Sequence, residues 1–286
     1  MTDDRWGAGL TVLGAGVMGS GIAALALGHG VPVLLVDPDE ERLARARADI
    51  RHQLRLAALL GAGQAAEGAL RVAASPGAAT DSAFVIEAIT ENAELKAKAL
   101  AGLSAIVRPG TPFVSNTSSI PIDELADSMS RPQDLAGTHF MNPPSLIGTV
   151  EVIRGPRTAD ETMAAVTGVL HGLGRKAVVV RDAPGFVTSR ILHPMINDAA
   201  RVVQAGTATA DAVDALLRDC LGHRTGPLRT ADLIGIDNLV DSLRVLHERT
   251  GDEGCRPCEL LLAKVRAGHL GRKSGRGFYQ YEEAAR

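Results

Sequence analysis

Leu10-Thr11-Val12-Leu13 runs directly into Gly14-Ala15-Gly16-Val17-Met18-Gly19. After a helical run to His29 the chain returns as Val33-Leu34-Leu35-Val36, with Asp37 at its end. Strand, glycine turn, helix, strand, acid is the order a mononucleotide-binding unit requires. In such a unit Gly14 makes the tight turn, Gly16 lets the backbone approach a pyrophosphate, and Gly19 lets the helix pack close to the strand. Val17 and Met18 complete the turn at the helix N-terminus, where free N–H groups and the positive dipole end favour phosphate. Asp37 is spaced to accept hydrogen bonds from the adenine ribose hydroxyls and to repel a 2′-phosphate. The next residue is Pro38 rather than an arginine, so nothing nearby invites that phosphate and the motif points to NAD over NADP. An aspartate there can also simply cap the helix that follows.

Beyond Pro38, residues 39–60 carry a helical pattern without proline. Phe84–Ala88 and Pro112–Ser115 read as strands separated by a helix over Ala93–Val107. Leu135–Phe140, Val150–Ile153 and Ala177–Val180 complete a sheet, with a helix over Asp160–Leu173 between the last two. Alternating strands and helices predict an α/β fold, a mostly parallel sheet covered on both faces. At Arg181-Asp182-Ala183-Pro184-Gly185 the texture changes. From Phe186 to Leu270 the pattern is helices broken by Gly and Pro. The expected domains are residues 1–183 and 184–286.

Composition narrows the function classes. The 286 residues hold 30 basic and 33 acidic side chains, a net charge of −3. That leaves no basic excess for nucleic acid or an anionic membrane surface. The first residues, Met1 to Trp6, are polar and acidic, unlike a secretory leader, and no apolar run reaches the length of a membrane span. The expectation is a cytoplasmic protein. Three cysteines make a disulfide framework implausible. Cys255-Arg256-Pro257-Cys258 offers two ligands where a zinc site needs four, so it reads as two thiols in a turn before a helix near Glu259, and no metal is expected. Gly271-Arg272-Lys273-Ser274 has the wrong spacing from Gly268 for a phosphate loop and no strand before it.

Ser115-Asn116-Thr117-Ser118-Ser119, Thr138-His139-Phe140-Met141-Asn142-Pro143-Pro144 and Val150-Glu151-Val152 place hydroxyls, one histidine and one carboxylate in a strand-rich segment. His139 ends a strand before a proline-rich loop, and strand ends are where open α/β sheets place their sites. A histidine there can take a hydroxyl proton as hydride leaves the same carbon. Glu151 on the next strand can hold the imidazole in one tautomer and stabilise its cation. A dinucleotide fingerprint upstream of such a pair is dehydrogenase chemistry.

These stretches, with Pro184-Gly185-Phe186, Asp232-Leu233-Ile234-Gly235 and Leu270–Tyr279, resemble the 3-hydroxyacyl-CoA dehydrogenase family across nearly the whole chain. The resemblance implies an N-terminal Rossmann domain, an all-helical C-terminal domain that dimerises, and NAD as oxidant. It implies His139 as general base, Glu151 as its partner and Ser118 as a ligand of the substrate's 3-oxygen. Asn142 would position nicotinamide or substrate, Asn116 belongs to the same cofactor-side segment, and Glu91 and Lys96 match the family's nicotinamide-ribose contacts. Read on their own, Glu91 and Lys96 are a solvated pair at a helix start. His193 could face the same cleft as Ser189, although packing accounts for it better.

The chain departs from the family pattern at three places. Ser189 stands where the family usually carries an asparagine that points at the substrate oxygen, and serine offers one short donor in place of an amide. The helix after Asp39 retains Arg51 and Arg55 but lacks the lysines that meet the CoA phosphates; Leu56, Leu59 and Leu60 suit either a protein partner or a buried face. The loop after Pro143 reads Pro144-Ser145-Leu146-Ile147-Gly148-Thr149 and lacks the usual methionine-lysine-leucine turn. The expected substrate is therefore a 3-hydroxyacyl thioester on CoA or on an acyl carrier protein, the latter as in polyketide pathways that oxidise glyceryl groups. A free hydroxy acid and a non-catalytic, crystallin-like NADH binder are the other readings.

Overall fold

The computed structural model describes residues 9–59 and 68–281. The expected helix end at Leu60, with Gly61, and the polar Met1–Trp6 segment lie outside the described residues. The chain divides into two compact units, Met1–Ala183 and Pro184–Arg286.

The first unit contains β1 (Leu10–Leu13), α1 (Val17–Gly28), β2 (Val33–Val36), α2 (Glu40–Leu59), β3 (Leu70–Ala73), β4 (Phe84–Glu87) and α3 (Ala93–Ile106). It continues with β5 (Phe113–Ser115), α4 (Ile122–Ala126), β6 (Leu135–His139), β7 (Thr149–Arg154), α5 (Asp160–Gly172) and β8 (Lys176–Arg181). The strands form one sheet in the order β3-β2-β1-β4-β5-β6-β7-β8. All neighbours run parallel except β6 and β7, which are antiparallel. The order reverses at β1, between β2 and β4, which makes a crevice at the carboxyl ends of β1 and β4.

Strand alternation sorts the core. Val12, Leu35, Ile86, Val114, Ala136 and Val152 point to one face and join α1, α2 and α5 residues such as Ile22, Ile50 and Val166 in one buried cluster. Their strand neighbours Val85, Phe113, Leu135 and Ile153 are buried on the opposite face. There α4 approaches so closely that a Cβ on Gly137 would lie 2.7 Å from Ile122 Cδ1. Both faces are therefore apolar along the strand middles, as a covered parallel sheet requires. The sequence reading has no strand between Asp37 and Phe84; β3 escaped it because Leu70-Arg71-Val72-Ala73 is an edge strand of mixed exposure without an apolar run.

The second unit is helical: α6 (Thr188–Gln204), α7 (Ala210–Leu221), α8 (Pro227–Ile234), α9 (Ile236–Thr250) and α10 (Glu259–Arg266). Ile196, Ala200, Val213, Leu228, Leu239, Leu243 and Leu261 form its core. Cys255 and Cys258 are free and buried, Cys258 immediately before α10. The closing segment is clasped by Asp232, whose carboxylate accepts from the Phe278 and Tyr279 N–H groups at 2.9 and 3.0 Å. The Tyr279 hydroxyl donates to the buried Asp214 at 2.7 Å, and Arg229 stacks 4.0 Å from the Tyr279 ring centroid. His193 is buried, its Nδ1 2.7 Å from Ser242 Oγ. Among the described residues no helix is long and apolar enough to cross a membrane, and no three metal-ligating side chains gather as a metal site.

Candidate active site

The glycine turn has the shape a dinucleotide needs. Gly14 has φ +103°, and a Cβ there would meet Ala88 O at 2.6 Å. A Cβ on Gly19 would collide with Gly14 O. At Gly16 the outcome is opposite, since a Cβ would find nothing within 4 Å. Two glycines thus press helix and turn against the strands, and the third leaves open space over the start of α1. Gly16 is the N-cap of α1 and makes no side-chain capping bond, so Val17 and Met18 begin a turn whose N–H groups are suited to phosphate. Val17 is 70% exposed there.

Asp37, buried at the end of β2, ties this turn together. One carboxylate oxygen accepts from Ala15 N–H at 2.9 Å and the other from Asp39 N–H at 3.0 Å. Each oxygen retains a lone pair for a ribose hydroxyl. An arginine does come near: Arg42, in the first turn of α2, places a guanidinium nitrogen 3.9 Å from Asp37. The expectation drawn from Pro38 is corrected on that point, because a helix brings residue i+5 back beside the strand end.

Four adjacent strands end in polar groups on one face. Glu87 of β4 pairs in register with Ser115 of β5, and Ser115 with Gly137 of β6. His139 lies two residues beyond Gly137, hence on the same face, and pairs across the antiparallel ladder with Glu151 of β7. His139 Nδ1 is 3.1 Å from Glu151 Oε2, with side chains 12% and 6% exposed. A carboxylate can only accept, so Nδ1 donates and the neutral imidazole carries its lone pair on Nε2. Asn116, just past β5, accepts from Phe140 N–H at 3.1 Å. It thereby fastens the backbone beside His139 to the hydroxyl-rich segment.

Glu91 and Lys96 are not the solvated pair that the bare residues suggest. Lys96 and Glu87 are completely buried, with 2.7 Å between Nζ and Oε1. Lys96 also donates to Ile89 O at 3.3 Å and pairs with Glu91 Oε2 at 3.3 Å. Glu87 further accepts from Ile89 N–H at 2.7 Å and from the Ser115 hydroxyl. Glu91 Oε1 accepts from Thr117 Oγ1 at 2.6 Å, Ser118 N–H at 2.8 Å and Ser119 N–H at 3.2 Å, with Ser118 Oγ at 3.2 Å. Burial alone would raise the Glu91 carboxyl, but the Lys96 charge and the Thr117 and Ser118 bonds outweigh it and hold it below the usual carboxylate range. Thr117 and Glu87 escaped the sequence reading, which singled out Ser118. A carboxylate closing a strand that otherwise reads Phe-Val-Ile was the available signal for Glu87.

Asn142 is exposed and follows the same strand end. With Gln53, Leu56, Ala57, Pro143, Ser145 and Leu146 it lines a cleft of about 230 Å³ between α2 and the β6–β7 loop. Arg175 holds that loop by donating to Pro144 O at 3.2 Å and Ser145 O at 3.0 Å. Leu56 and Leu59 are 43% and 84% exposed, so the buried-face expectation fails for both: they lie on the side of α2 turned away from Leu43, Ala46 and Ile50. In the second unit Ser189 is buried in the first turn of α6, behind Phe186, which adopts φ +51°.

The open turn at Gly16, the Asp37 carboxylate and the polar row ending in His139 fit a dinucleotide and a proton acceptor. Comparison with known proteins supports the dinucleotide. The family model described as 3-hydroxyacyl-CoA dehydrogenase, NAD binding domain, matches residues 9–183, and that of the C-terminal domain matches residues 185–281. A probable 3-hydroxybutyryl-CoA dehydrogenase of Deinococcus radiodurans is 42% identical over 274 residues, covering 94% of this chain and 99% of that protein. FadB2 of Mycobacterium tuberculosis superposes with a TM-score of 0.91 at 36% identity, covering 96% of this chain and 99% of its own. The (S)-3-hydroxybutyryl-CoA dehydrogenase of Ralstonia eutropha gives 0.86 at 37% identity, with 96% and 99% covered.

Proposed function

The chain belongs to the 3-hydroxyacyl-CoA dehydrogenase family and carries its NAD-binding domain, and on that premise we propose that it oxidises the 3-hydroxyl of a short 3-hydroxyacyl-CoA, of the 3-hydroxybutyryl class, to a ketone. NAD supplies the hydride acceptor when bound. The observation that carries the reading is the His139–Glu151 pair at 3.1 Å on the polar row of the sheet. His139 Nε2 takes the hydroxyl proton while Glu151 holds the ring and stabilises the resulting imidazolium. Ser118, its N–H held by Glu91 at 2.8 Å, swings its hydroxyl from Glu91, 3.2 Å away, to the substrate's 3-oxygen, and Asn142 at the cleft mouth orients the bound molecules. Gly14, Gly16, Val17, Met18, Gly19 and Asp37 hold the adenine half of the dinucleotide; Glu91, Lys96 and Asn116 order the loops that receive its other half. Exposed Ile191, Leu216 and Leu221, at 66%, 56% and 67%, suit self-association of that unit as a homodimer.

The test is NAD reduction with 3-hydroxybutyryl-CoA by the parent chain and by His139→Gln. Turnover should fall at least about a hundredfold with NADH binding intact. Turnover near the parental rate would remove His139 from the mechanism.

A second reading rests on α2. Its C-terminal half displays Arg51, Arg55, Leu56 and Leu59 to solvent beside the cleft, where lysines would meet CoA phosphates. A basic and apolar surface suits an acidic carrier protein that delivers a hydroxyacyl group on its phosphopantetheine arm. Offering the same hydroxyacyl group on CoA and on a carrier protein separates the two, since the favoured carrier will show the larger kcat/KM.

A further inference from the structure

We propose that Glu87, Lys96 and Glu91 form a fixed, net-negative group that biases the enzyme toward the oxidised, cationic nicotinamide ring, with Glu91 as the member the ring senses. The proposal deepens the reading above and rests on it, because it takes His139 as the place where the proton leaves.

The charge count comes from hydrogen bonding. Both Glu87 oxygens are used only as acceptors, toward Ile89 N–H, Lys96 and Ser115. Lys96 donates to three acceptors, Glu87, Glu91 and Ile89 O, which matches the three protons of an ammonium. Glu91 accepts from the Thr117 hydroxyl and two backbone N–H groups while facing Lys96. Two carboxylates and one ammonium leave one negative charge uncompensated. Glu87 and Lys96 are sealed from solvent, whereas the Glu91 side chain is 36% exposed, so the surplus reaches the surface through Glu91.

Its position follows from topology. The pyrophosphate site at Gly16 belongs to the end of β1, and the proton acceptor His139 to the end of β6. In the sheet β1 and β6 are separated by β4 and β5, a span of about 14 Å at ordinary strand spacing. Glu87 ends β4, Ser115 ends β5, and Glu91 caps the Thr117–Ser119 segment that follows β5. A dinucleotide anchored at Gly16 and reacting beside His139 must pass over these two strand ends.

Oxidation moves a hydride from the carbinol carbon and a proton from its hydroxyl. The hydride turns the cationic ring neutral, the proton goes to His139, and the C–O bond becomes a carbonyl. A fixed negative charge beside the ring therefore stabilises the bound oxidised cofactor over the bound reduced one. One charge at about 8 Å, with an effective dielectric of about 30 in a part-wet crevice, corresponds to about a tenfold difference in affinity between the two ring states.

The test compares the dissociation constants of NADH and NAD for the whole chain, by NADH fluorescence and by competition. Glu91→Gln should shift the ratio about tenfold toward NADH, equivalent to about 30 mV in the bound couple. Glu91→Asp keeps the charge and should hold the ratio within about twofold. Thr90→Lys, on an exposed neighbouring position, adds a cation without touching the Thr117–Ser119 bonds and should shift the ratio the same way. If Glu91→Gln cannot be obtained folded, Thr90→Lys decides alone. An unchanged ratio, or equal shifts in Glu91→Gln and Glu91→Asp, would overturn the proposal and leave Glu91 with a bracing role only. Failure of the dehydrogenase reading is distinguishable, because it appears as undiminished turnover in His139→Gln and not in these constants.

Discussion

Replacing Glu151 by Gln isolates what the carboxylate does for His139. The substitution keeps size and shape in a site where Glu151 is 6% exposed, so packing loss is small. It removes a unit charge 3.1 Å from Nδ1. Between an imidazolium and a carboxylate at that separation, an effective dielectric of about 20 to 40 gives about 3 to 5 kcal/mol. In the proposed reaction the charge interaction exists only once His139 has taken the proton, so it would lower the barrier without strengthening ground-state binding. A glutamine carbonyl still accepts from Nδ1–H and recovers a neutral bond of about 1 kcal/mol. The net expectation is a fall in kcat of about 30- to 1000-fold with KM changed less than about threefold. The assay is initial-rate NAD reduction with 3-hydroxybutyryl-CoA across substrate concentrations, with NADH binding and thermal unfolding as controls. A kcat within about threefold of the parent would refute the electrostatic role. A matching rise in KM with unchanged kcat would assign Glu151 to binding.

Asp37→Ser should move cofactor preference toward NADP by about 10- to 100-fold in the kcat/KM ratio, because Arg42 already reaches within 3.9 Å of that carboxylate; an unchanged ratio would mean Arg42 is held elsewhere. Lys96→Met leaves Glu87 buried without its cation and should cost about 3 to 5 kcal/mol in a denaturant titration, and a loss below about 1 kcal/mol would refute the buried-pair reading. Burial, then the Asp232 charge and its hydrogen bond, push the Tyr281 hydroxyl up to about 12 from 10.0. The folded state thus holds that proton where the unfolded chain releases it, so the contribution is complete below pH 10 and is lost as pH rises toward 12. Tyr281→Phe should flatten the alkaline fall in stability over that window, measured as melting temperature against pH.

Local pattern made the first half of the fold legible. Gly14 to Gly19 and Asp37 are close in sequence and obey fixed backbone rules, so strand, turn and helix could be read directly. The same holds for His139 and Glu151, which sit on consecutive strands, and for the texture change near Pro184. What failed shares one cause. Arg42 beside Asp37, the burial of Lys96 and the edge strand at Leu70 all depend on which side of an element meets which neighbour. A charged residue at a helix start is normally solvated, and only the approach of β4 and β5 turns Lys96 into the centre of a buried ion group.

Spacing along one element or between adjacent ones was enough to read the α/β order, the dinucleotide turn and His139 with Glu151 as the candidates for moving a proton. Tertiary structure alone decided that Glu87, Ser115, His139 and Glu151 share one face at the sheet's end and that Glu91 braces Thr117 to Ser119. Those residues are separated by up to 64 positions in the chain. Register between parallel strands is set by core packing on both faces, and no local pattern carries it.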